Sequence, residues 1–190
     1  MSGRARRAAA VAASVMAGGT GVAVAATGDA PQTVRGRVFA TVAPAGWTTA
    51  VVAGPKSLKS YQQASHGKVD ALGVPVKGAI ATTIYEASIR KSGFAHPGRQ
   101  TADTLAPKLI GIPRGATRIT PVAGGHGILD GERTVYGTYT YTYAGRRIRQ
   151  RDLVARHGAY SVVVETIADT SRRAAADRAR STVQDAWHWR

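Results

Sequence analysis

The segment 138–143 constrains this chain more than any other. Tyr139, Tyr141 and Tyr143 alternate with Thr138, Thr140 and Thr142. Aromatic and β-branched residues at a period of two predict a strand with two chemically different faces. Ala144-Gly145 then supplies a two-residue turn, so the strand folds back on the segment that begins at Arg146. That turn fixes a register. Tyr143 faces Arg146, Tyr141 faces Ile148 and Tyr139 faces Gln150. On the other face Thr142, Thr140 and Thr138 meet Arg147, Arg149 and Arg151. The next turn, Arg156-His157-Gly158, reads as a three-residue loop with Gly158 at positive φ. It sets Ala155 opposite Ala159, Arg149 opposite Glu165 and Arg151 opposite Val163. A two-residue turn would place Val162 and Val164 on the arginine face and strand them in water, so the longer loop is expected.

This register gives an inner face of Tyr139, Tyr141, Ile148, Val154, Tyr160, Val162 and Val164, and an outer face of threonine and arginine. Asp152 falls on the inner face, opposite Gly137, and is expected at a sheet rim or a bulge. Asp169, Thr170 or Ser171 can cap a closing helix. Ala175, Ala179, Val183, Ala186 and Trp187 form one stripe on it and are expected to pack on the inner face. The fold class is therefore α+β: an antiparallel sheet, its C-terminal meander covered by helices on one face.

Upstream, Val38 to Val42, Trp47 to Val52, Leu58 to Ala64 and Ala79 to Ile89 read as strands, with a turn at Pro44-Ala45-Gly46 and a close at Gly54-Pro55. His66-Gly67 to Gly78 and Gly93 to Gly98 read as loops. Thr101 can cap a short helix from Ala102, with Asp103 favourable in its first turn and Pro107 ending or kinking it. Arg118 to Val122 is a short strand, and Gly124-Gly125-His126-Gly127 a flexible loop.

The chain opens on Arg4, Arg6 and Arg7, followed by the small apolar run Ala8 to Val24 and by Ala23-Val24-Ala25. This is the pattern of a secretory signal cleaved after Ala25. Gly18, Gly19 and Gly21 interrupt the run, and it is rich in alanine rather than leucine, which disfavours a retained membrane span. Arg6-Arg7 raises twin-arginine export, but the alanines after it fit that route poorly. Residues 26–36 are expected as a flexible leader, and 37–190 as a single domain. The chain has no cysteine, so neither a disulfide nor a lipid-bearing thiol is available, and stability must come from packing. Cleavage removes three arginines and lowers the formal charge from +15 to +12.

Catalytic motifs are sparse. His66, His96, His126, His157 and His188 show no metal-ligand spacing, and no metal or other cofactor is expected. Ser65-His66-Gly67 joins a hydroxyl to a base in sequence only, without a GxSxG elbow. Asp130 and Glu132 flank Gly131 in a turn, which is weak evidence for calcium or glycosidase chemistry. The best binding candidate is the row Arg147, Arg149 and Arg151, with Arg146 and Arg156 nearby. Alternate residues of one strand are spaced about 7 Å apart. Such a row suits phosphates, an anionic cell-wall polymer or an acidic protein patch. Nucleic acid is disfavoured, because the chain reads as exported and its aromatics lie opposite the arginines, where bases could not stack among them.

With this layout in view, the chain resembles the PsbP-like fold, and within it the LpqN-type bacterial cell-envelope proteins. Val38 to Trp47 resembles the family's entry of a strand followed by Pro-x-Gly-Trp, here Pro44-Ala45-Gly46-Trp47. The helix at Thr101 to Ile110, the glycine-rich loop, the strands Tyr139 to Tyr143, Ile148 to Val154 and Tyr160 to Thr166, and the final helix follow in the same order. The resemblance implies an antiparallel sheet with packed helices, a binding or scaffolding role and no shared catalytic residues. LpqN-type proteins commonly carry a lipid-bearing cysteine that this chain lacks, so no stable membrane anchor is expected. The expectation is a secreted, non-catalytic binding or accessory domain of the cell envelope presenting Arg147, Arg149 and Arg151 to an acidic partner. The competing expectation is an extracellular hydrolase using a loop histidine, His126 or His66.

Overall fold

Three two-residue turns build the C-terminal half. The structure, a computed structural model, describes residues 26–27, 29–53, 60–70 and 73–190; the expected export signal and the expected Gly54-Pro55 close lie outside the described residues. Asp130-Gly131 and Ala144-Gly145 have positive φ at both positions, 44° and 82°, and 48° and 75°, the twist that matches flanking strands. They join β7 (Thr117–Leu129) to β8 (Glu132–Tyr143) and β8 to β9 (Arg146–His157). Gly158-Ala159, with Gly158 at φ 54°, joins β9 to β10 (Tyr160–Asp169). The β8–β9 register is the expected one, from Tyr143↔Arg146 to Thr138↔Arg151.

The β9–β10 register is not. His157 pairs with Tyr160, Arg149 with Ala168, Arg151 with Thr166 and Asp152 with Glu165. The pairing is offset by three from the three-residue-loop reading, and an odd offset moves every β10 side chain to the other face. Val162 and Val164 therefore do lie on the arginine side. They are nonetheless buried, at 0% and 2% exposure, because that side is covered.

The remaining strands are β1 (Ala26–Thr27), β2 (Gln32–Arg35), β3 (Phe39–Ala43), β4 (Thr48–Ala53), β5 (Ser60–His66), β6 (Ile80–Ser88) and β11 (His188–Trp189). An eight-stranded antiparallel sheet runs β1-β4-β5-β6-β10-β9-β8-β7, and a three-stranded sheet runs β11-β3-β2. Residues 32–35, expected within a flexible leader, instead pair with β3. The loop at Gly67 to Gly78 carries a bridge, Val69↔Pro75.

Gly124 to Gly127, expected as a flexible loop, belongs to β7 and pairs with Gly137 to Thr134 of β8. A Cβ on Gly125 would meet the Tyr136 ring at 3.2–3.3 Å. Glycine there permits close passage over an aromatic ring, which outweighs its low strand propensity once β8 supplies a partner.

Helices cover opposite faces of the large sheet. Helix α1 (Ala102–Leu109) starts at a capping box in which Thr101 and Thr104 each bond the other's backbone N–H, and it runs two residues past Pro107. It lays Leu105 and Ala106 on Val154, Val163 and Ile89. Helix α2 (Arg173–Asp185) buries Ala176, Ala179 and Val183. Its core partners are Leu153, Val162, Val164, Ile84 and Phe39, and Phe39 stacks on Trp187 at 4.5 Å. The α+β class holds, but the helices are divided between the faces, and α2 covers the arginine face rather than the tyrosine face. Among the described residues, no helix is long and apolar enough to cross a membrane.

Candidate anion site

Period-two alternation along β9 sends Arg147, Arg149, Arg151 and Leu153 to the face under α2. Helix periodicity sends Arg173, Asp177 and Arg180, at i, i+4 and i+7, to one flank of α2. The two rows meet. Arg149 Nη1 donates to Asp177 Oδ1 at 3.1 Å, Arg180 Nη2 lies 3.5 Å from the same oxygen, and Arg173 Nε lies 3.7 Å from Oδ2. The Arg151 guanidinium sits 4.2 Å over the Tyr136 ring. Arg149, Arg151, Arg173 and Arg180 thus surround a recess whose lining, among the described residues, holds one carboxylate, Asp177.

The cluster is rich in cation and short of acceptors. Arg149 and Arg180 side chains are 13% and 17% exposed. The Nε atoms of Arg151 and Arg180 are buried without a hydrogen-bond partner among the described residues. Such orphaned donors carry a desolvation cost, which an incoming acceptor would remove. Burial, and next the Arg180 charge, push the Arg151 guanidinium below its ordinary range. The enclosed volume is about 10 Å³, room for roughly one water-sized group. It can take a single anionic oxygen, and bidentate guanidinium geometry suits phosphate or carboxylate.

Of the arginines singled out in the sequence, the structure brings Arg149 and Arg151 into this cluster. Arg147 is exposed and donates to Thr140 Oγ1 (2.7 Å) and the Arg118 carbonyl (3.1 Å), extending the row outward. Arg146 lies on the other face, bound to Asp169 at 3.3 Å and to the Pro75 carbonyl at 2.7 Å. Arg156 donates to the Gly98 carbonyl. Sequence reasoning missed Arg173, Asp177 and Arg180 as site residues. Their shared helix flank was the available signal.

The opposite face carries a second polar group, of the opposite charge. Asp152 is neither at a rim nor at a bulge. It is 1% exposed and faces Glu165, which is 5% exposed. Gln150 Nε2 lies within 2.9–3.1 Å of both Asp152 oxygens and Glu165 Oε2, and 2.6 Å from the Gly111 carbonyl. Tyr85 donates to Glu165 at 3.2 Å, and Tyr141 donates to Gln150 Oε1 at 3.0 Å. One amide nitrogen with two hydrogens cannot satisfy two carboxylates. Burial pushes Glu165 up to about 7, and burial together with the Glu165 charge holds Asp152 well above the carboxylate range.

The histidines are dispersed. His126 meets Asp103 at 2.6 Å on the surface, and its hydrogen bond, with help from Arg133, holds the Asp103 carboxyl low. His157 bonds Glu132 at 3.0 Å and stacks on Trp189 at 4.6 Å. His66 rims a recess beside α2.

No known family model and no curated protein sequence matches this chain. Solved structures do resemble it. Cyanobacterial PsbP (CyanoP) of Synechocystis matches with a TM-score of 0.53 at 13% identity, over 91% of this chain and 96% of its own. LpqN of Mycobacterium tuberculosis, involved in cell envelope biogenesis, matches with a TM-score of 0.40 at 11% identity, over 90% and 84%. A Pseudomonas aeruginosa protein of unknown function matches with a TM-score of 0.46 at 13% identity, over 80% and 95%. The chain has the PsbP-like fold. At such identities a likeness concerns the fold alone, and function has to be argued from the site.

Proposed function

We propose that this protein is a secreted, non-catalytic binding or accessory domain of the cell envelope, which captures an anionic group of its partner at Arg149 and Arg151. The single observation that carries this reading is the imbalance under α2: four guanidinium groups about one carboxylate, with two buried Nε donors unpartnered among the described residues. The formal charge of +12 left after cleavage of the export signal would draw anionic partners toward the surface. Export is supported by the arginine, alanine-rich and Ala-Val-Ala sequence at the start of the chain. The partner is an acidic protein or an anionic wall polymer, and Arg147 adds an exposed contact at the outer end of the row. Titration with inorganic phosphate, and pull-down of anionic envelope polymer at moderate salt, test the reading. Replacing Arg149 and Arg151 together by Gln should weaken both by at least about tenfold, about 1.4 kcal/mol. Unchanged binding in that variant would remove the site.

One observation favours the hydrolase alternative, the contact of His126 with Asp103. A base oriented by a carboxylate is two-thirds of a nucleophilic triad. Among the described residues no hydroxyl bonds His126, and the residue lies in a strand rather than a loop. Ester or glycoside hydrolysis that His126→Ala abolishes would establish that reading in place of the binding one.

A further inference from the structure

Helix α2 separates the arginine recess from a second basic one. On its other flank Arg172, Arg178 and Ala179 face Trp47, His66 and Ile80 across an open recess of about 220 Å³. Arg172 Nε is buried and, among the described residues, unpartnered, while Arg178 and His66 are exposed. Among the described residues no acid lines this recess. Its floor is apolar and its rim is cationic, the complement of a flat ring that carries a negative substituent.

The two recesses are a helix width apart, about 10–12 Å with side chains. Between them the outer ridge of α2 is low where Ala174 and Ser181 stand exposed. A ligand that filled one recess would have a passable route to the other. A lone phosphate would use only the smaller.

We propose that one anionic polysaccharide lies across α2 and occupies both recesses. A charged oxygen enters between Arg149, Arg151 and Arg180. A neighbouring sugar ring rests against Pro44 and Ala175, above the buried Trp47 and Ile80, its charge met by Arg172 and Arg178. This rests on the anion-binding reading above and deepens it by naming the ligand class. Acidic polypeptide fits less well, because its charges sit on flexible tips with no ring to fill the apolar floor.

The test compares inorganic phosphate, a ladder of galacturonate oligomers and poly-glutamate of matched charge, titrated into the purified protein at about 0.15 M salt, where diffuse attraction is largely screened. Oligomers long enough to cross α2 should bind at least about tenfold tighter than single galacturonate, the gain expected when a second site is tethered to a first. Arg172→Gln with Arg178→Gln should abolish that gain and leave phosphate binding unchanged. Affinity independent of oligomer length overturns the proposal while leaving the anion site standing. Poly-glutamate binding as tightly as the matched uronate also overturns it, in favour of an acidic protein. Failure of phosphate to bind the unaltered protein removes the anion reading itself, and this inference with it.

Discussion

The two faces of the large sheet handle charge in opposite ways. Under α2, Arg149 and Arg151 remain charged; Arg149 shares Asp177 with Arg173 and Arg180 of the helix, and Arg151 lies over Tyr136. Under α1, Asp152 and Glu165 lie sealed from water around one glutamine. Arginine cannot shed its proton in a protein, so it must keep a route to solvent, an acid or a ligand. A buried carboxyl can hold a proton and become neutral. The arginine face is thus suited to binding, and the carboxyl face to holding strands together.

The largest effect that would break this contrast lies in the core beneath α2. Phe39→Ala removes the ring stacked on Trp187 and should cost about 3–5 kcal/mol, measured by urea unfolding. A cost below about 1 kcal/mol would mean that α2 is not seated there, and the arginine cluster would lose its roof.

Next is the pH response of the carboxyl face. Unfolded, Asp and Glu release their protons near pH 4. Folded, Glu165 holds its proton to about 7 and Asp152 is also raised. Through that window the native state binds more protons than the unfolded state, so stability falls as pH rises, on the order of 1–3 kcal/mol between about pH 4 and 7. Glu165→Gln should flatten the slope in unfolding curves taken at about pH 5 and about pH 8. A slope that persists unchanged would place the titrating group elsewhere.

Asp177→Asn sharpens the comparison from the cationic side. It removes the one carboxylate that, among the described residues, lines the recess and competes with an incoming anion, worth about 0.5–1 kcal/mol for a partly exposed pair. Phosphate affinity should rise about two- to fivefold in calorimetric titration. A fall would mean that Asp177 positions the guanidinium groups more than it competes for them. The smallest effect is expected at Arg147, which is exposed at the end of the row. Arg147→Gln should change stability by less than about 0.5 kcal/mol and leave phosphate affinity within about twofold, because its contacts lie outside the recess.

Much of this was legible in the residues themselves. Tyr139 to Tyr143, Ala144-Gly145 and the arginines opposite gave the β8–β9 ladder residue by residue, because alternation and turn chemistry are local. The same locality placed Thr101 at the α1 cap and Arg149 and Arg151 on one face. The β9–β10 register failed for a non-local reason. The three-residue loop was preferred because Val162 and Val164 needed cover, and their cover is α2 together with Phe39, distant in the chain. Asp152 was expected at a rim or bulge for a related reason, since Glu165, Gln150 and Tyr141 converge around it only once three strands, β8, β9 and β10, are aligned.

The sequence by itself determined the β8–β9 ladder, the turns at Asp130-Gly131 and Ala144-Gly145 and the side-chain alternation, each set by φ/ψ preference or by period, whereas β2, the glycine-rich part of β7 and the Gly158-Ala159 turn needed their partners. Tertiary structure alone decided which face each helix would cover. Coverage depends on where apolar surface remains after every strand has paired, a property of the assembled sheet and of no single segment. That choice brought Arg173, Asp177 and Arg180 down onto Arg149 and Arg151, and so turned a row of arginines into an enclosed recess.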